Sequence, residues 1–245
     1  MLIEADLKAI EWYVCAALTE DPLMIQELWD GVDPHGATCV NLMEMELTKD
    51  NRQGAKLFNF RALYCDEKSA PYAFYMDSKM PDFTQKKWDN ICDGFFSKYR
   101  VFSSVHKDWV KEVNKTGCII GPTGRKWTFD KHLKKGGYHA YNKAQIYNYP
   151  VQGTSGDIIK LAMVYVRKRL KGLPVYLINT VHDSLILDGR DEVSCYEAGK
   201  ICLETFHEIP DLVRRHFGWS MGVPITGEIS MGHSWGTTKE VKYSL

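Results

Sequence analysis

Two aspartates far apart in the sequence have the surroundings of metal-binding carboxylates. Asp6 follows the short apolar segment 2–5, and Asp183 lies in the segment 181–184 between two apolar runs. A fold could bring these two aspartates together. Neighbouring carboxylates repel each other and need cations to stay ionised. Two Mg²⁺ about 3.5–4 Å apart could activate an attacking hydroxyl and stabilise the leaving oxygen in phosphoryl transfer. Each aspartate alone also fits a simpler role, a helix N-cap at Asp6 and an Asx turn at Asp183.

A second pattern, which we name the cation–ring stripe, repeats every four residues as Arg52, Lys56, Phe60 and Tyr64. On a helix each such step advances about 40° beyond one turn, so the four side chains wind slowly over roughly 18 Å. Arginine binds phosphate oxygens in pairs, and lysine acts as a point charge. Two cations followed by two rings match the phosphates, sugar and base of a nucleoside triphosphate. The alternative is a core helix whose cations extend to solvent.

Helices and a few strands in mixed order must position these residues. A strand is predicted at 2–5, a turn or hairpin at 117–127, and a second hairpin whose bend carries His182, Asp183 and Ser184. Such a mixture indicates an α+β fold. Apolar spacing predicts a helix over residues 9–29, and the lack of helix breakers other than Gly54 predicts one over 52–64. Helices are also expected over 84–115 (as one or two helices), 155–171 and 192–217.

Charge is segregated along the chain although it cancels overall. The 245 residues include 31 Lys and Arg and 31 Asp and Glu. Residues 1–50 (2 basic, 11 acidic) carry −9, residues 51–180 (23 basic, 10 acidic) carry +13, and residues 181–245 (6 basic, 10 acidic) carry −4. The basic middle also contains aromatic residues, as nucleic-acid-binding surfaces do. An uneven distribution of solvated charges explains the same pattern equally well.

Composition excludes a disordered chain, because 44% of the residues are hydrophobic and 12% are aromatic. The seven cysteines are dispersed without a CxxC pair, which favours a reducing compartment. The start of the chain is acidic where a secretory signal is basic and then apolar. Apolar runs fall far short of the roughly 20 residues of a membrane span. We therefore expect a cytoplasmic protein without a membrane partner.

Ordered motifs over essentially the whole chain resemble DNA polymerase family A, the bacterial DNA polymerase I type. Asp6 with Ile10 and Glu11 resembles motif A, the cation–ring stripe resembles motif B, and His182-Asp183 resembles motif C. Segments 33–38, 124–126, 148–160 and 232–235 resemble, in turn, the family's D-x-H-x-A-T segment, its G-R-R turn, its N-x-P-x-Q-G-T-x-x-D-I-I-K block and its C-terminal G-x-x-W.

The resemblance implies an α+β fold built as a right-hand polymerase palm, an antiparallel sheet with helices, plus helical fingers, with no thumb or exonuclease domain. Palm is expected at 1–48 and 145–245, and fingers at 49–144. Family members carry a thumb before motif A, whereas this chain starts about five residues before it. We therefore expect a split or truncated polymerase whose thumb, with or without an exonuclease, comes from a second polypeptide.

The implied reaction is template-directed DNA synthesis, in which the primer 3′-hydroxyl attacks the α-phosphate of a dNTP and releases pyrophosphate. Asp6 and Asp183, helped by the backbone carbonyl of Leu7, would hold two Mg²⁺ ions. Primer–template DNA and dNTP would be the partners. Catalysis would come mostly from positioning and charge neutralisation.

The resemblance also implies which residues contact the substrates. Glu11 would be the steric gate that fills the space of a ribose 2′-hydroxyl. Gln152 suits the minor groove of the nascent duplex, where acceptors are nearly the same for every base pair. The residues implied for the dNTP are His35, Arg52, Lys56, Phe60, Tyr64 and Glu11, and those implied for DNA are Asn148, Gln152, His182, Arg125 and Lys143.

Departures from the family pattern leave both essential carboxylates in place. Five residues of the family pattern are replaced: a glutamine before the Ile-Glu pair of motif A, the two glycines of motif B, the acid after the motif C aspartate and an arginine before Gln152. These replacements bear on fidelity and processivity more than on the chemistry. The residues here are Ala9, Arg61, Cys65, Ser184 and Ala144.

Two other functions stay open. A single-subunit phage-type RNA polymerase shares this palm and often has His-Asp-Ser in motif C, but Glu11 and Phe60 argue against it. A non-catalytic DNA-binding replication subunit derived from a polymerase is the other, and the retention of Asp6 and Asp183 argues against that one.

Overall fold

The structure, a computed structural model, describes residues 1–71, 83–134 and 136–243. Within these ranges, helices α1 to α9 are Ile10–Thr19, Pro22–Trp29, Pro34–Asn41, Lys49–Ala62, Gln85–Lys98, Arg100–Thr116, Lys143–Arg169, Glu192–His207 and Ile209–Phe217. Strands β1 to β9 are Leu2–Leu7, Cys118–Ile120, Lys126–Thr128, Lys131–Leu133, His139–Tyr141, Val175–Val181, Ser184–Gly189, Gly227–Gly232 and Lys239–Val241. A short 3₁₀ helix covers Trp235–Thr237.

Two compact units make up the chain, one from residues 1–14 and 152–245 and one from residues 15–151. Both boundaries fall inside helices, one in α1 and one in α7. The palm and fingers limits expected from the family stay predictions. No helix in the described ranges is long and apolar enough to cross a membrane.

A five-stranded antiparallel sheet in the order β6-β7-β1-β8-β9 organises the first unit. Ile3, Ala5 and Leu7 on the central strand β1 are buried, whereas the residues between them are half-buried. This alternation directs one face of β1 into the core. Helix α8 packs against β1, β7 and β8 and buries its own apolar side there.

The hairpin expected around His182-Asp183 is confirmed. Strands β6 and β7 pair from Val175 opposite Gly189 to Val181 opposite Ser184, so the connection contains only the two residues between them. His182 has a φ of +53°, a left-handed backbone conformation that residues other than glycine seldom adopt. The tight connection places Asp183 directly beside β1.

Aromatic packing holds the helices of the second unit together. Phe58 on α4 stacks on Trp88 of α5, with ring centroids 5.9 Å apart, and meets Phe95 edge-on at 5.5 Å. Phe102 of α6 lies against the same group. A second, smaller apolar cluster joins the end of α6, strand β2 and the start of α7, and it consists of Val113, Ile119, Phe129, Ile146 and Tyr147.

Two predicted helices are each divided in the structure. The single helix expected over 9–29 breaks at Glu20, whose φ is +52°, and restarts as α2 with Pro22 in its first turn. The helix expected over 192–217 divides at Glu208, and Pro210 lies in the first turn of α9. Proline is well tolerated in a first turn because the amide hydrogen it lacks has no helical partner there.

The third difference concerns the long helix α7. The sequence predicts its start at residue 155, after Pro150, but α7 begins at Lys143 and contains Pro150. The side chain of Asn142 accepts a hydrogen bond from the Ala144 amide and so starts the helix earlier. A proline inside a helix removes one backbone hydrogen bond, which is a cost that neighbouring packing can offset.

Asp21 connects two helix N-termini of the second unit. Its Oδ1 accepts from the amides of Leu23 and Met24 at 3.1 Å, which caps α2. Its Oδ2 accepts from the amides of Val101 and Phe102 at 3.0 Å, in the first turn of α6. The side chain is 1% exposed. One buried carboxylate therefore satisfies four amides that would otherwise lack partners.

Replacing Asp21 with asparagine should destabilise the chain by about 2–4 kcal/mol. The side-chain NH₂ of asparagine would replace one carboxylate oxygen and leave the two backbone amides that donate to it unpaired in the interior. Urea unfolding followed by circular dichroism measures the change.

Asp191 provides the matched control, since it caps α8 through the Ser194 amide but is exposed. Asparagine caps helices as well as aspartate, so Asp191→Asn should leave the urea midpoint unchanged. Equal midpoints for the two variants would show that Asp21 is an ordinary cap.

Candidate active site

The two predicted metal-binding aspartates lie on neighbouring strands of the first unit. Asp6 on β1 pairs with Ser184, the first residue of β7. The Leu7 amide donates to the backbone carbonyl of Asp183 at 3.2 Å. Asp6 is thus a strand residue rather than a helix N-cap, and the structure brings the backbone of both aspartates to one end of the β1–β7 pair.

Ser184 fixes the orientation of the Asp6 carboxylate. Its Oγ donates to Asp6 Oδ1 at 2.5 Å, and Ser184 is only 5% exposed. A hydroxyl that donates to a carboxylate favours its ionised form. The sequence marks Ser184 only as a departure from the family pattern. Its contact with Asp6 depends on strand register, for which the sequence has no local signal.

The oxygen atoms offered here fit a hard divalent cation. Mg²⁺ commonly binds through one or two carboxylates, with substrate phosphates and water completing its shell. Asp6, Asp183 and the carbonyl of Leu7 are donors of that kind. In the part of the chain that the structure describes, no cluster of three or more His, Cys, Asp and Glu side chains that could hold a metal ion is found.

Glu11, the predicted steric gate, contacts a second predicted site residue. Gln152 Nε2 donates to Glu11 Oε1 at 3.3 Å. Glu11 lies in the first turn of α1 and is half-buried, whereas Gln152 on α7 is exposed. His182 is exposed at the hairpin bend. The first unit therefore carries Asp6, Asp183, Glu11, Gln152 and His182 together.

Helix α4 of the second unit carries most of the cation–ring stripe. Arg52, Lys56 and Phe60 are half-buried, and the Lys56 Nζ lies 5.6 Å from the centre of the Phe60 ring. Tyr64 follows the end of the helix and packs against the smaller apolar cluster. The stripe is not the core face of α4, which is formed by Ala55, Phe58, Asn59 and Ala62.

Arg52 is bound by a carboxylate of helix α3. Its Nε lies 2.6 Å from Asp33 Oδ2, and its second contact reaches Asp33 Oδ1 at 2.9 Å. Asp33 also caps α3 by accepting from the His35 amide. Although burial raises the pKa of Asp33, the hydrogen bond and charge of Arg52 together with that amide hold it below its usual value. A phosphate bound to Arg52 would have to replace this carboxylate.

His35 is a buried, neutral imidazole. It is 3% exposed, and its ring lies 5.6 Å from that of Phe60. Burial lowers the pKa of His35 to about 4. The charges of Arg52 and Lys56 act in the same direction, whereas the charge of Asp33 opposes them. Near neutral pH it therefore offers a hydrogen bond rather than a positive charge.

Asn59 is a site residue that the sequence analysis missed. It is fully buried, and its Nδ2 lies 3.0 Å from His35 Nδ1 and donates to the Pro34 carbonyl at 3.0 Å. Its Oδ1 accepts from Thr38 Oγ1 at 2.9 Å. An amide within the apolar face of a predicted helix was the available signal, because buried polar groups require partners.

The remaining predicted DNA-binding residues lie in the second unit. Arg125 is exposed at the β2–β3 bend, and Asn148 on α7 is half-buried. Lys143 forms an ion pair with Asp66 at 3.0 Å. The structure thus gives Lys143 a carboxylate partner within its own unit.

The chain is similar to known DNA polymerases. DNA polymerase I of Aquifex aeolicus is 28% identical over 84% of the chain, and that of Caldicellulosiruptor bescii is 27% identical over 98%. The chain spans 36% and 27%, respectively, of the length of these two relatives.

Among solved structures, the POL domain of Pol1 from M. smegmatis, in complex with DNA primer-template and dNTP, matches 97% of the chain. The TM-score is 0.77 at 22% identity, and the chain covers 40% of that domain's chain. This likeness confirms the predicted α+β polymerase fold.

A family profile described as DNA polymerase family A matches residues 1–237. The match confirms the resemblance found in the ordered motifs, and the chain belongs to DNA polymerase family A.

Proposed function

We propose that this chain carries the nucleotidyl-transfer site of a template-directed DNA polymerase. The observation that carries the proposal is the β1–β7 pairing, which sets Asp6 beside the residue that follows Asp183. Family membership supports the same activity, since relatives are DNA polymerases I and the matched structure binds DNA primer-template and dNTP. The substrates would be primer–template DNA and dNTP.

Asp6 and Asp183, with the carbonyl of Leu7, would hold two Mg²⁺ ions. When bound, these ions supply activation of the primer 3′-hydroxyl and neutralisation of charge on the reacting phosphate. Ser184 keeps one oxygen of Asp6 hydrogen-bonded, so the carboxylate is oriented. Preorganised ligands of this kind reduce the reorganisation needed during reaction.

Arg52 and Lys56 would bind the triphosphate, with Phe60 against the sugar and base. Because Asp33 holds Arg52 in this structure, an incoming phosphate exchanges one anionic partner of the guanidinium for another. The cation is paired before and after binding, which limits its desolvation cost. His35, a neutral ring, would donate a hydrogen bond, and Tyr64 would lie by the template base.

Glu11 would select deoxynucleotides by occupying the volume of a 2′-hydroxyl. The Gln152 amide donates to this carboxylate and so orients it. Asn148, Gln152, His182, Arg125 and Lys143 would contact the primer or the nascent duplex.

Substitution of Asp183 with asparagine should lower the rate of Mg²⁺-dependent primer extension at least about a hundredfold, because the site loses one of its two carboxylates. The same loss is expected for Asp6→Asn. Single-nucleotide extension under saturating dNTP, by this chain with any polypeptide needed for activity, measures the rate.

Asp188→Asn is the matched control, since Asp188 lies exposed on the same strand β7. It should extend primers at the native rate. Full activity in Asp183→Asn would exclude the proposed metal-binding role of that residue.

Removal of the Glu11 side chain should relax sugar selection. We expect Glu11→Ala to raise kcat/KM for ribonucleotides relative to deoxynucleotides by about ten- to a hundredfold, because a steric block is removed. Gln152→Ala keeps the carboxylate and should change the ratio less. Equal use of both sugars by the native chain would instead support the RNA polymerase alternative.

Acid should destabilise the chain through His35. The folded pKa of about 4 lies below the ordinary value of 6.5, so the unfolded chain binds this proton first as pH falls. Stability present above pH 6.5 is therefore lost down to about pH 4, at up to about 1.4 kcal/mol per pH unit. Urea unfolding at pH 7, 6 and 5 should show a smaller loss in His35→Gln. An NMR titration midpoint of His35 near 6.5 would contradict its burial as a neutral ring.

A further inference from the structure

A short ribbon in the second unit carries features that the proposed catalytic site does not use. We name strands β4 and β5, with the described residues 134 and 136–138 of their connection, the 131–141 ribbon. At its base, Phe129 is 8% exposed and stacks on Tyr149, with ring centroids 5.5 Å apart. Tyr141 packs against the smaller apolar cluster. The base is therefore fixed to the unit.

The outer part of the ribbon is exposed although it contains large apolar side chains. All three residues of β4 are exposed. Leu133 is 67% exposed and Tyr138 is 60% exposed. A two-stranded ribbon alone buries too little surface to be stable. Large apolar side chains that it exposes to solvent therefore indicate an interaction site.

Charge on the ribbon has one sign. The sequence contains no Asp or Glu from Lys131 to Gly156, although the whole chain has equal numbers of acidic and basic residues. Lys131 Nζ lies 5.2 Å from the centre of the Tyr141 ring. An unbroken positive segment on an exposed ribbon is suited to a polyanion.

The pairing of the two strands places two cations next to two rings. Lys131 lies opposite Tyr141 in the paired strands. Beyond the strand ends, the Lys134 amide donates to the Tyr138 carbonyl at 2.8 Å. Gly137, with a φ of +81°, donates to the Lys134 carbonyl at 3.1 Å and closes the turn.

We propose that the 131–141 ribbon binds single-stranded nucleic acid. Lys131 and Lys134 contact the phosphates, and an unpaired base stacks on Tyr138. Cations alone would serve a duplex equally well, but bases in a duplex are stacked on each other and cannot use an exposed ring. The inference rests on the proposed function in one respect: it assigns the ribbon to the unpaired template strand.

Fluorescence anisotropy with labelled dT₂₀, without Mg²⁺ or dNTP, tests the proposal between 50 and 200 mM KCl. The double variant Lys131→Ala/Lys134→Ala should bind about tenfold more weakly at 100 mM KCl. Its slope of log affinity against log salt should fall by about 1.4, since each lost phosphate contact removes about 0.7. Tyr138→Ser should lose about five- to tenfold with an unchanged slope, and Tyr138→Phe should bind like the native chain.

Lys200→Ala/Lys239→Ala removes the same charge from α8 and β9 and is the matched control. Native affinity in the ribbon variants, with melting temperatures unchanged, would overturn the proposal. So would equal losses on a 20-base-pair duplex, or competition by polyglutamate as strong as by dT₂₀.

Asp183→Asn separates this proposal from the proposed function. That variant should bind dT₂₀ normally while failing to extend primers. Loss of binding in the ribbon variants together with full extension by Asp183→Asn would retain the ribbon and reject the catalytic assignment.

Discussion

The antiparallel pairing of β1 with β7 is the constraint on which the candidate chemistry depends. Side chains alternate along a strand, so a slip of one residue would move Asp6 to the opposite face. Burial of Ile3, Ala5 and Leu7 prevents that slip, because it would expose all three. Apolar packing on one side of β1 thus determines where a carboxylate lies on the other.

Patterns that are local in sequence were sufficient for much of this fold. Two apolar runs flanking polar residues predicted the β6–β7 hairpin, and the lack of helix breakers other than Gly54 predicted a helix over residues 52–64, where α4 lies. Helix ends were harder to predict from the sequence, because a single positive φ at Glu20 divides α1 from α2. Pro150 was expected to precede α7, yet the Asn142 cap starts that helix seven residues before it.

The contacts around the candidate site were harder to predict because they join distant residues. Ser184 and Asp6 are 178 positions apart, and only the strand register brings them together. Arg52 meets Asp33 because α3 and α4 pack side by side. Motif resemblance supplied the candidate site residues, whereas the side chains that contact them required the structure.

Burial of His35 has a consequence for proton transfer in the proposed reaction. A neutral ring that accepts from Asn59 at Nδ1 carries its hydrogen on Nε2. Proton exchange in catalysis is most efficient for groups that titrate near the working pH. Because burial lowers its pKa to about 4, this histidine would serve the proposed reaction as a hydrogen-bond donor, and proton transfer would fall to other groups or to water.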